Sequence, residues 1–197
     1  MNSEQPSSLS SISKGVQLVR EWVTVLVVAL VIAITVRSLI LQQFYISGPS
    51  MEATMFQDNR VLVNKLSYRL HDIHRGDVVV FDRVTVDGQD VQHDDLIKRV
   101  IALGGETISI KDCNVFIDGK LLKESYLNDY DIAQTILEDR CRVPSMDATI
   151  VPENQLFVMG DNRPQSFDSR MFGPIAQNIV VGRAFVIIWP FSAAKFL

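Results

Sequence analysis

Ser50 and Lys98 are the two side chains from which this sequence could build a nucleophile and its base. A serine hydroxyl attacks poorly at neutral pH unless a proton acceptor lies within hydrogen-bond reach. Ser50 sits just beyond the one membrane-length apolar run, and Lys98 lies within Leu96-Ile97-Lys98-Arg99-Val100-Ile101-Ala102-Leu103. Strand alternation there puts Lys98 on the face of Leu96, Val100 and Ala102. Burial among apolar neighbours disfavours an ammonium, lowers the lysine pKa and frees a neutral amine to act as base. Read alone, the segment favours a plainer account, in which Lys98 and Arg99 lay their stems on a half-exposed strand and keep their charges in water.

The other reactive residue types carry less. His71, His74 and His93 stand among Asp72, Arg75, Asp94 and Asp95 and read as solvated surface histidines. His71-x-x-His74 has no further Cys or His cluster beside it, so no metal site is expected. Cys113 and Cys141 are too few for a disulfide framework, and their spacing leaves pairing open; they are read as non-catalytic.

These residues must be positioned by a membrane segment and one further domain. From Trp22 to Leu41 the chain is apolar apart from Thr24, Thr35, Arg37 and Ser38. About 20 residues at about 1.5 Å each cross a hydrocarbon core of about 30 Å. The expected division is a cytoplasmic tail over 1–21, a transmembrane helix over 22–41 and an extracytoplasmic domain over 42–197, with the Ser-rich start from Ser7 to Ser13 disordered. Lys14 and Arg20 precede the run whereas Gln42 and Gln43 follow it, so the positive-inside rule leaves the N-terminus in the cytoplasm. A cleaved secretory signal is the alternative, but the run exceeds a usual h-region and no small-x-small pattern follows before Ser47.

Beyond the run the apolar period is that of strands, expected at Arg60 to Asn64, Asp77 to Phe81, Leu96 to Leu103, Thr107 to Ile110, Val115 to Ile117, Leu156 to Met159 and Ile179 to Trp189. Asp87-Gly88, Gly104-Gly105 and Asp118-Gly119 mark turns, the last a tight hairpin, and Gly182 marks a bulge. The fold class is therefore mainly β, an antiparallel barrel-like or sandwich domain behind one N-terminal transmembrane helix. The stretch near 123–142, with Asn128, Asp129, Asp131, Glu138, Asp139 and Arg140, reads as a polar insertion without chemistry. A net charge of −4 excludes a nucleic-acid partner that needs a basic surface.

Four blocks together resemble bacterial type I signal peptidases: Gly48-Pro49-Ser50-Met51-Glu52-Ala53-Thr54-Met55, Arg75-Gly76-Asp77-Val78-Val79-Val80-Phe81, Ile97 to Glu106, and Gly160-Asp161-Asn162-Arg163-Pro164-Gln165-Ser166-Phe167-Asp168-Ser169-Arg170. The resemblance implies a membrane-bound serine endopeptidase that removes signal peptides from exported preproteins after small side chains, with Ser50 as nucleophile and Lys98 as base. It implies that Ser166 orients the lysine amine, that Asp168 and Arg170 form an ion pair under the site, and that the backbone N–H of Ser50 serves the oxyanion. No metal or organic cofactor is required. Signal-peptide-bearing preproteins and the lipid bilayer are the implied partners, with the export translocon nearby, and an extended substrate would add at a sheet edge, either Phe44 to Gly48 or Asp77 to Phe81.

The chain departs from the family pattern at Ala53, where proline is common, at Met55, where leucine is, and at Gly48, where some members carry a hydroxyl for the oxyanion. Losing one such donor slows an enzyme by about 10² to 10³. A weak or inactive paralogue acting as a membrane-anchored β-rich binding domain is therefore the alternative, and a self-cleaving serine–lysine protease of the repressor type the third. Pro144-Ser145-Met146-Asp147-Ala148-Thr149 nearly repeats the block around Ser50, and Ser145 is expected at the surface because only Ser50 is tethered beside the membrane segment. Phe185, Ile187, Trp189, Phe191 and Phe196 could rest on a bilayer or belong to a core strand.

Overall fold

A computed structural model describes residues 8–87, 90–127 and 141–197. Two compact units divide the chain, Met1–Leu41 and Gln42–Leu197. The first holds helix α1, Ser8–Leu39, whose apolar span is Gly15–Arg37. The helix thus starts within the serine-rich stretch expected to be disordered and ends before Leu41. Once a helix is nucleated each further residue adds a hydrogen bond, so an apolar run extends into flanking residues that would not start a helix themselves. Thr24 and Thr35 donate back to the carbonyls of Arg20 and Val31, which removes their hydroxyls from solvent competition.

The second unit is antiparallel and built on two sheets. Its elements are β1 Leu41–Tyr45, β2 Arg60–Asn64, the short helix α2 Ser67–Leu70, β3 Val78–Asp87, β4 Asp90–Leu103, β5 Thr107–Lys111, β6 Asn114–Ile117, β7 Lys120–Leu121, β8 Met146–Ile150, β9 Gln155–Met159, the short helix α3 Ser169–Phe172, β10 Ile175–Ala176, β11 Val180–Trp189 and β12 Lys195–Phe196. The larger sheet runs β1-β2-β11-β3-β4-β9-β10 with β12 beside β11, and the smaller runs β7-β6-β5-β8. Asp118 and Gly119 both take positive φ, 49° and 74°, the left-handed pair that the tight β6–β7 hairpin demands.

β3 shows why the core reads as a continuous apolar run. Val78 and Val80 enter one buried cluster with Val61, Val63, Ala184 and Ile187, while Val79 and Phe81 enter another with Val100, Leu156 and Val158. Both faces of the sheet are covered there, so alternation with polar residues disappears. Val78 to Phe81 pair with β11 on one side and β4 on the other. Asp77 to Phe81 therefore cannot be the free edge; β1 stands at the end of the strand order. On β4, Leu96 and Val100 pack in one cluster but Ala102 joins Ile101 in another, because the register with β9 shifts between Val100 and Ala102. Strict alternation beyond Val100 fails for that reason.

Gly182 sits at a second register shift, between Val180 and Gly182 of β11. A Cβ there would lie 2.5 Å from the Asn64 carbonyl oxygen, so the strand crossing requires glycine. Cys113 and Cys141 form a disulfide that closes a separation of 28 residues. Residues 128–140, and with them Asn128, Asp129, Asp131, Glu138, Asp139, Arg140 and most of the expected insertion, lie outside the described residues, as does Gly88. Among the apolar residues near the end, Ile187 is core at 1 % exposure whereas the aromatic Trp189, Phe191 and Phe196 are exposed.

Candidate active site

Ser50 is carried by a loop whose anchors are apolar. Met51 and Met55 are fully buried in the cluster that includes Val61 and Val63, and the turn between them closes with a 2.8 Å bond from the Met55 N–H to the Met51 carbonyl. The loop ends are tied by Ile46 N to Asn59 O and Asp58 N to Ile46 O, each 2.9 Å. Ser50 is thereby held half-buried at the rim. Its carbonyl accepts from the Asn162 N–H at 3.1 Å, while among the described residues its own N–H meets no backbone acceptor.

Ala53 takes φ 90° in this turn. A proline ring holds φ near −65°, so the residue common in the family could not adopt this backbone. Proline at position 53 would therefore strain this turn rather than pre-organise it. Gly48 likewise takes φ +88°, where open space surrounds the Cβ position but an L side chain is strained.

Lys98 projects from β4 opposite Val79 of β3. Its Nζ lies 2.8 Å from Ser50 Oγ and 2.8 Å from the Ile97 carbonyl oxygen. The residue is 3 % exposed, which decides against the water-facing basic pair. Burial depresses its pKa to about 8, with the Asp168 and Asp161 carboxylates pulling the other way. A buried amine in this state can take a proton from a hydroxyl at that distance.

The loop after β9 packs against both. Gly160 is the contact point: a Cβ there would lie 2.3 Å from both Ser166 Oγ and the Ser50 carbonyl oxygen. Its N–H donates to Asp168 Oδ2 at 3.0 Å. Ser166 is fully buried, yet its Oγ has no partner at hydrogen-bond geometry, so the expected bond to Lys98 is not formed. It does lie close enough to Asp168 to help stabilise that carboxylate. Asp168 and Arg170 form the expected ion pair, with Nε to Oδ1 and Nη2 to Oδ2 both 2.8 Å. Burial would raise the Asp168 pKa, but the hydrogen bonds and charge of Arg170 outweigh it and hold the carboxyl below its usual value.

Arg99 was legible only as half of a basic pair, and its role here was missed. It turns inward to bind Asp161 through Nε to Oδ1 at 2.8 Å and Nη2 to Oδ2 at 2.6 Å. Nη1 donates to the Gly76 carbonyl at 2.8 Å, and Thr54 Oγ1 donates to Asp161 Oδ2 at 2.5 Å. All four residues fall inside the family-like blocks, which was the available signal. The arrangement bolts the Ser50 loop, β4 and the Gly160 loop to one another through a buried charge pair.

The remaining candidates stay apart. His93 pairs with Asp82 at 2.7 Å on the outer part of the β3–β4 hairpin, and His71 and His74 are exposed. Among the described residues no group of three or more His, Cys, Asp or Glu side chains could hold a metal ion. Ser145 is exposed and leads into β8, which pairs with β5. Nearly the same six-residue pattern is thus a half-buried turn around Ser50 and an exposed strand after Ser145.

Fold and site together define a β-rich unit in which a serine hydroxyl meets a buried lysine amine. Residues 19–189 match the family described as signal peptidase, peptidase S26, and the chain belongs to that family. It is 39 % identical over 83 % of its length to signal peptidase I V of Bacillus subtilis, covering 95 % of that protein. It is 35 % identical over 84 % of its length to probable signal peptidase I-2 of Synechocystis, covering 71 %. Signal peptidase IB of Staphylococcus aureus is 33 % identical over 89 % of this chain and 92 % of its own.

Proposed function

We propose that this chain is a membrane-bound serine endopeptidase that removes N-terminal signal peptides from exported preproteins, with Ser50 as nucleophile and Lys98 as general base. The observation that carries the reading is the 2.8 Å approach of a buried lysine Nζ to the serine Oγ. Membership of the family supports the substrate class.

In the proposed cycle the Lys98 amine takes the Ser50 hydroxyl proton as Oγ bonds to the scissile carbonyl carbon. The C–N bond then breaks, the lysine returns its proton to the departing amine of the mature chain, and the signal peptide remains as an ester on Ser50. Water, giving its proton to Lys98, attacks the ester carbon; the bond to Oγ breaks, Lys98 returns the proton to Ser50 Oγ, and the signal peptide leaves with a free carboxylic acid. The Ser50 N–H is the oxyanion donor; Ser166 and the Asp168–Arg170 pair keep the wall behind the lysine in place. An extended substrate adds along Phe44 to Gly48, where main-chain bonds supply affinity.

Two observations support this orientation, with the N-terminus inside and the second unit outside. Lys14 precedes the apolar span and Arg20 lies in its first turns, which supports a cytoplasmic N-terminus. The Cys113–Cys141 disulfide suits an oxidising compartment for the second unit. The apolar span of 23 residues is long enough, at about 1.5 Å per residue, for a core of about 30 Å. Exposed Trp189, Phe191 and Phe196 offer an aromatic patch for a lipid surface, and preproteins would be met as they leave the translocon.

The deciding experiment is cleavage of a preprotein with an Ala-x-Ala site by the detergent-solubilised full chain beside Ser50→Ala and Lys98→Ala. Processing by wild type and its loss in both variants is expected. A wild type silent on several preproteins would instead support a β-rich binding domain.

A further inference from the structure

Residues 123–127, read from the sequence as the start of a polar excursion without chemistry, run past the back of the candidate site with alternating exposure. Lys123 and Ser125 face solvent, while Glu124, Tyr126 and Leu127 turn inward. Glu124 is 9 % exposed at its side chain and Arg163, its partner, 7 %. Their contact is a two-point fork: Arg163 Nη1 donates to Oε2 at 2.7 Å and Nη2 donates to Oε1. The Tyr126 hydroxyl donates to the same carboxylate. Tyr126 also lays its ring over the Arg99 guanidinium, 4.0 Å from its carbon to the ring centroid.

Both arginines lead directly to the residues around Ser50. Arg163 Nε donates to the Gly160 carbonyl at 3.2 Å, and Gly160 is the backbone pressed between Ser50 and Ser166. Arg99 holds Asp161 and, through Nη2 at 3.2 Å, Thr54 in the Ser50 turn. A bidentate carboxylate fixes a guanidinium plane as well as its position. An aromatic face excludes water from one side of a cation and strengthens its other contacts. Glu124 and Tyr126 thus constrain the two guanidiniums, Arg163 through the carboxylate fork and Arg99 through the ring.

We infer that Glu124 and Tyr126 are positioning residues for the reaction, acting through Arg163 and Arg99 to hold Ser50 against Lys98. The inference rests on the assignment of Ser50 and Lys98 as nucleophile and base. It gives the segment before residue 128 a role in catalysis although neither side chain reaches the reacting atoms. The charge of Glu124 also matters. Removing it leaves Arg163 as an uncompensated buried cation beside Asp161, whose charge favours the protonated form of Lys98. The field at Lys98 then becomes more positive, and the amine loses its proton at lower pH.

The test measures kcat, KM and the pH profile of preprotein cleavage for the detergent-solubilised full chain, with Ser50→Ala, Tyr126→Phe, Tyr126→Leu and Glu124→Gln. Rates are normalised to the folded fraction, read by protease resistance and by the intact Cys113–Cys141 disulfide. Tyr126→Phe keeps the ring and should retain kcat within about threefold. Tyr126→Leu and Glu124→Gln should lower kcat by about 10- to 100-fold with KM little changed, the response to a small misplacement of reacting groups. Glu124→Gln should also move the acid inflection to lower pH, which a purely structural role would not do. If Glu124→Gln does not fold, the contrast between Tyr126→Phe and Tyr126→Leu decides. Normal kcat and pH profile in Tyr126→Leu and in folded Glu124→Gln, with wild type active and Ser50→Ala silent, overturn this inference alone. A silent wild type, or an active Ser50→Ala, overturns the underlying assignment and this inference with it.

Discussion

If Lys98 is the base, activity must follow the neutral fraction of its amine, and the structure fixes where that fraction changes. Burial brings the pKa from 10.5 to about 8. At pH 7 about 9 % of such amines are neutral, against about 0.03 % for an exposed lysine, so burial raises the working fraction by about 300-fold. Between pH 6 and 7 the fraction rises nearly tenfold, at pH 8 it is about one half, and above pH 9 it is close to saturation. The assay is kcat/KM for a preprotein whose cleavage region has no titrating side chain, measured from pH 5.5 to 10 with the detergent-solubilised full chain. The expected profile climbs with unit slope on the acid side and levels above about pH 8. Lys98→Arg should be inactive throughout, because a guanidinium keeps its proton at every pH tested. A profile flat from pH 6 to 9 would refute the reasoning, and an inflection near 6.5 would point to a histidine that the structure keeps away from Ser50.

The same depressed pKa has a cost in stability. With a folded value near 8 and an unfolded value of 10.5, the unfolded chain holds the proton more tightly. The penalty, about 3 kcal/mol as an upper bound, is therefore full below pH 8 and vanishes as pH rises through 10.5. Lys98→Met should raise the thermal midpoint at pH 7 and lose that advantage above pH 10.5; an unchanged midpoint at pH 7 would argue that the amine is better solvated than it looks. Gly160→Ala would force a Cβ to 2.3 Å from Ser166 Oγ and the Ser50 carbonyl, and should cut kcat by about 10² or more, while Gly119→Ala, with open space at its Cβ, should leave kcat within about twofold. Reducing the Cys113–Cys141 link, which spans 28 residues, should lower unfolding free energy by about 3.5 kcal/mol on the chain-entropy account, measured by denaturant titration with and without reductant. Because Ala53 holds φ 90°, Ala53→Gly should gain about 1 kcal/mol and Ala53→Pro should lose about 1–3 kcal/mol; a stabilising proline would show that the turn adopts another backbone.

Much of the strand order along the chain could be read from residues alone, because its cause is local. Val78, Val79 and Val80, like Ile97, Val100 and Ile101, are β-branched and apolar, Asp118-Gly119 supplies the left-handed turn, and a long apolar run has no stable place but a helix in lipid or a core. The Ser50, Lys98, Ser166, Asp168 and Arg170 assignments came from a resemblance to a family, since no spacing rule joins side chains 48 and more residues apart. The outer parts of β3 and β4, from Asp82 to Asp87 and Asp90 to Asp95, were missed because their few apolar residues are set among charged and polar ones, Val84 and Val91 staying exposed, and because they stand as a two-stranded ribbon. Their pairing depends on the partner strand, which no window of sequence contains.

What the sequence determined by itself was the type of each element and the chemical types on hand: an apolar span, a β-rich unit, one serine beside the span and a lysine among aliphatics. Tertiary structure decided which of these meet. It brought Lys98 Nζ to 2.8 Å from Ser50 Oγ, turned Arg99 inward onto Asp161, left Ser166 without the lysine bond expected of it and paired two cysteines whose spacing was silent. It also gave two near-identical six-residue patterns different fates, a half-buried turn around Ser50 and an exposed strand after Ser145. The physical reason is that burial and approach are properties of the whole packed chain: a lysine loses its proton, and a serine gains a base, only when distant segments exclude water from the space between them.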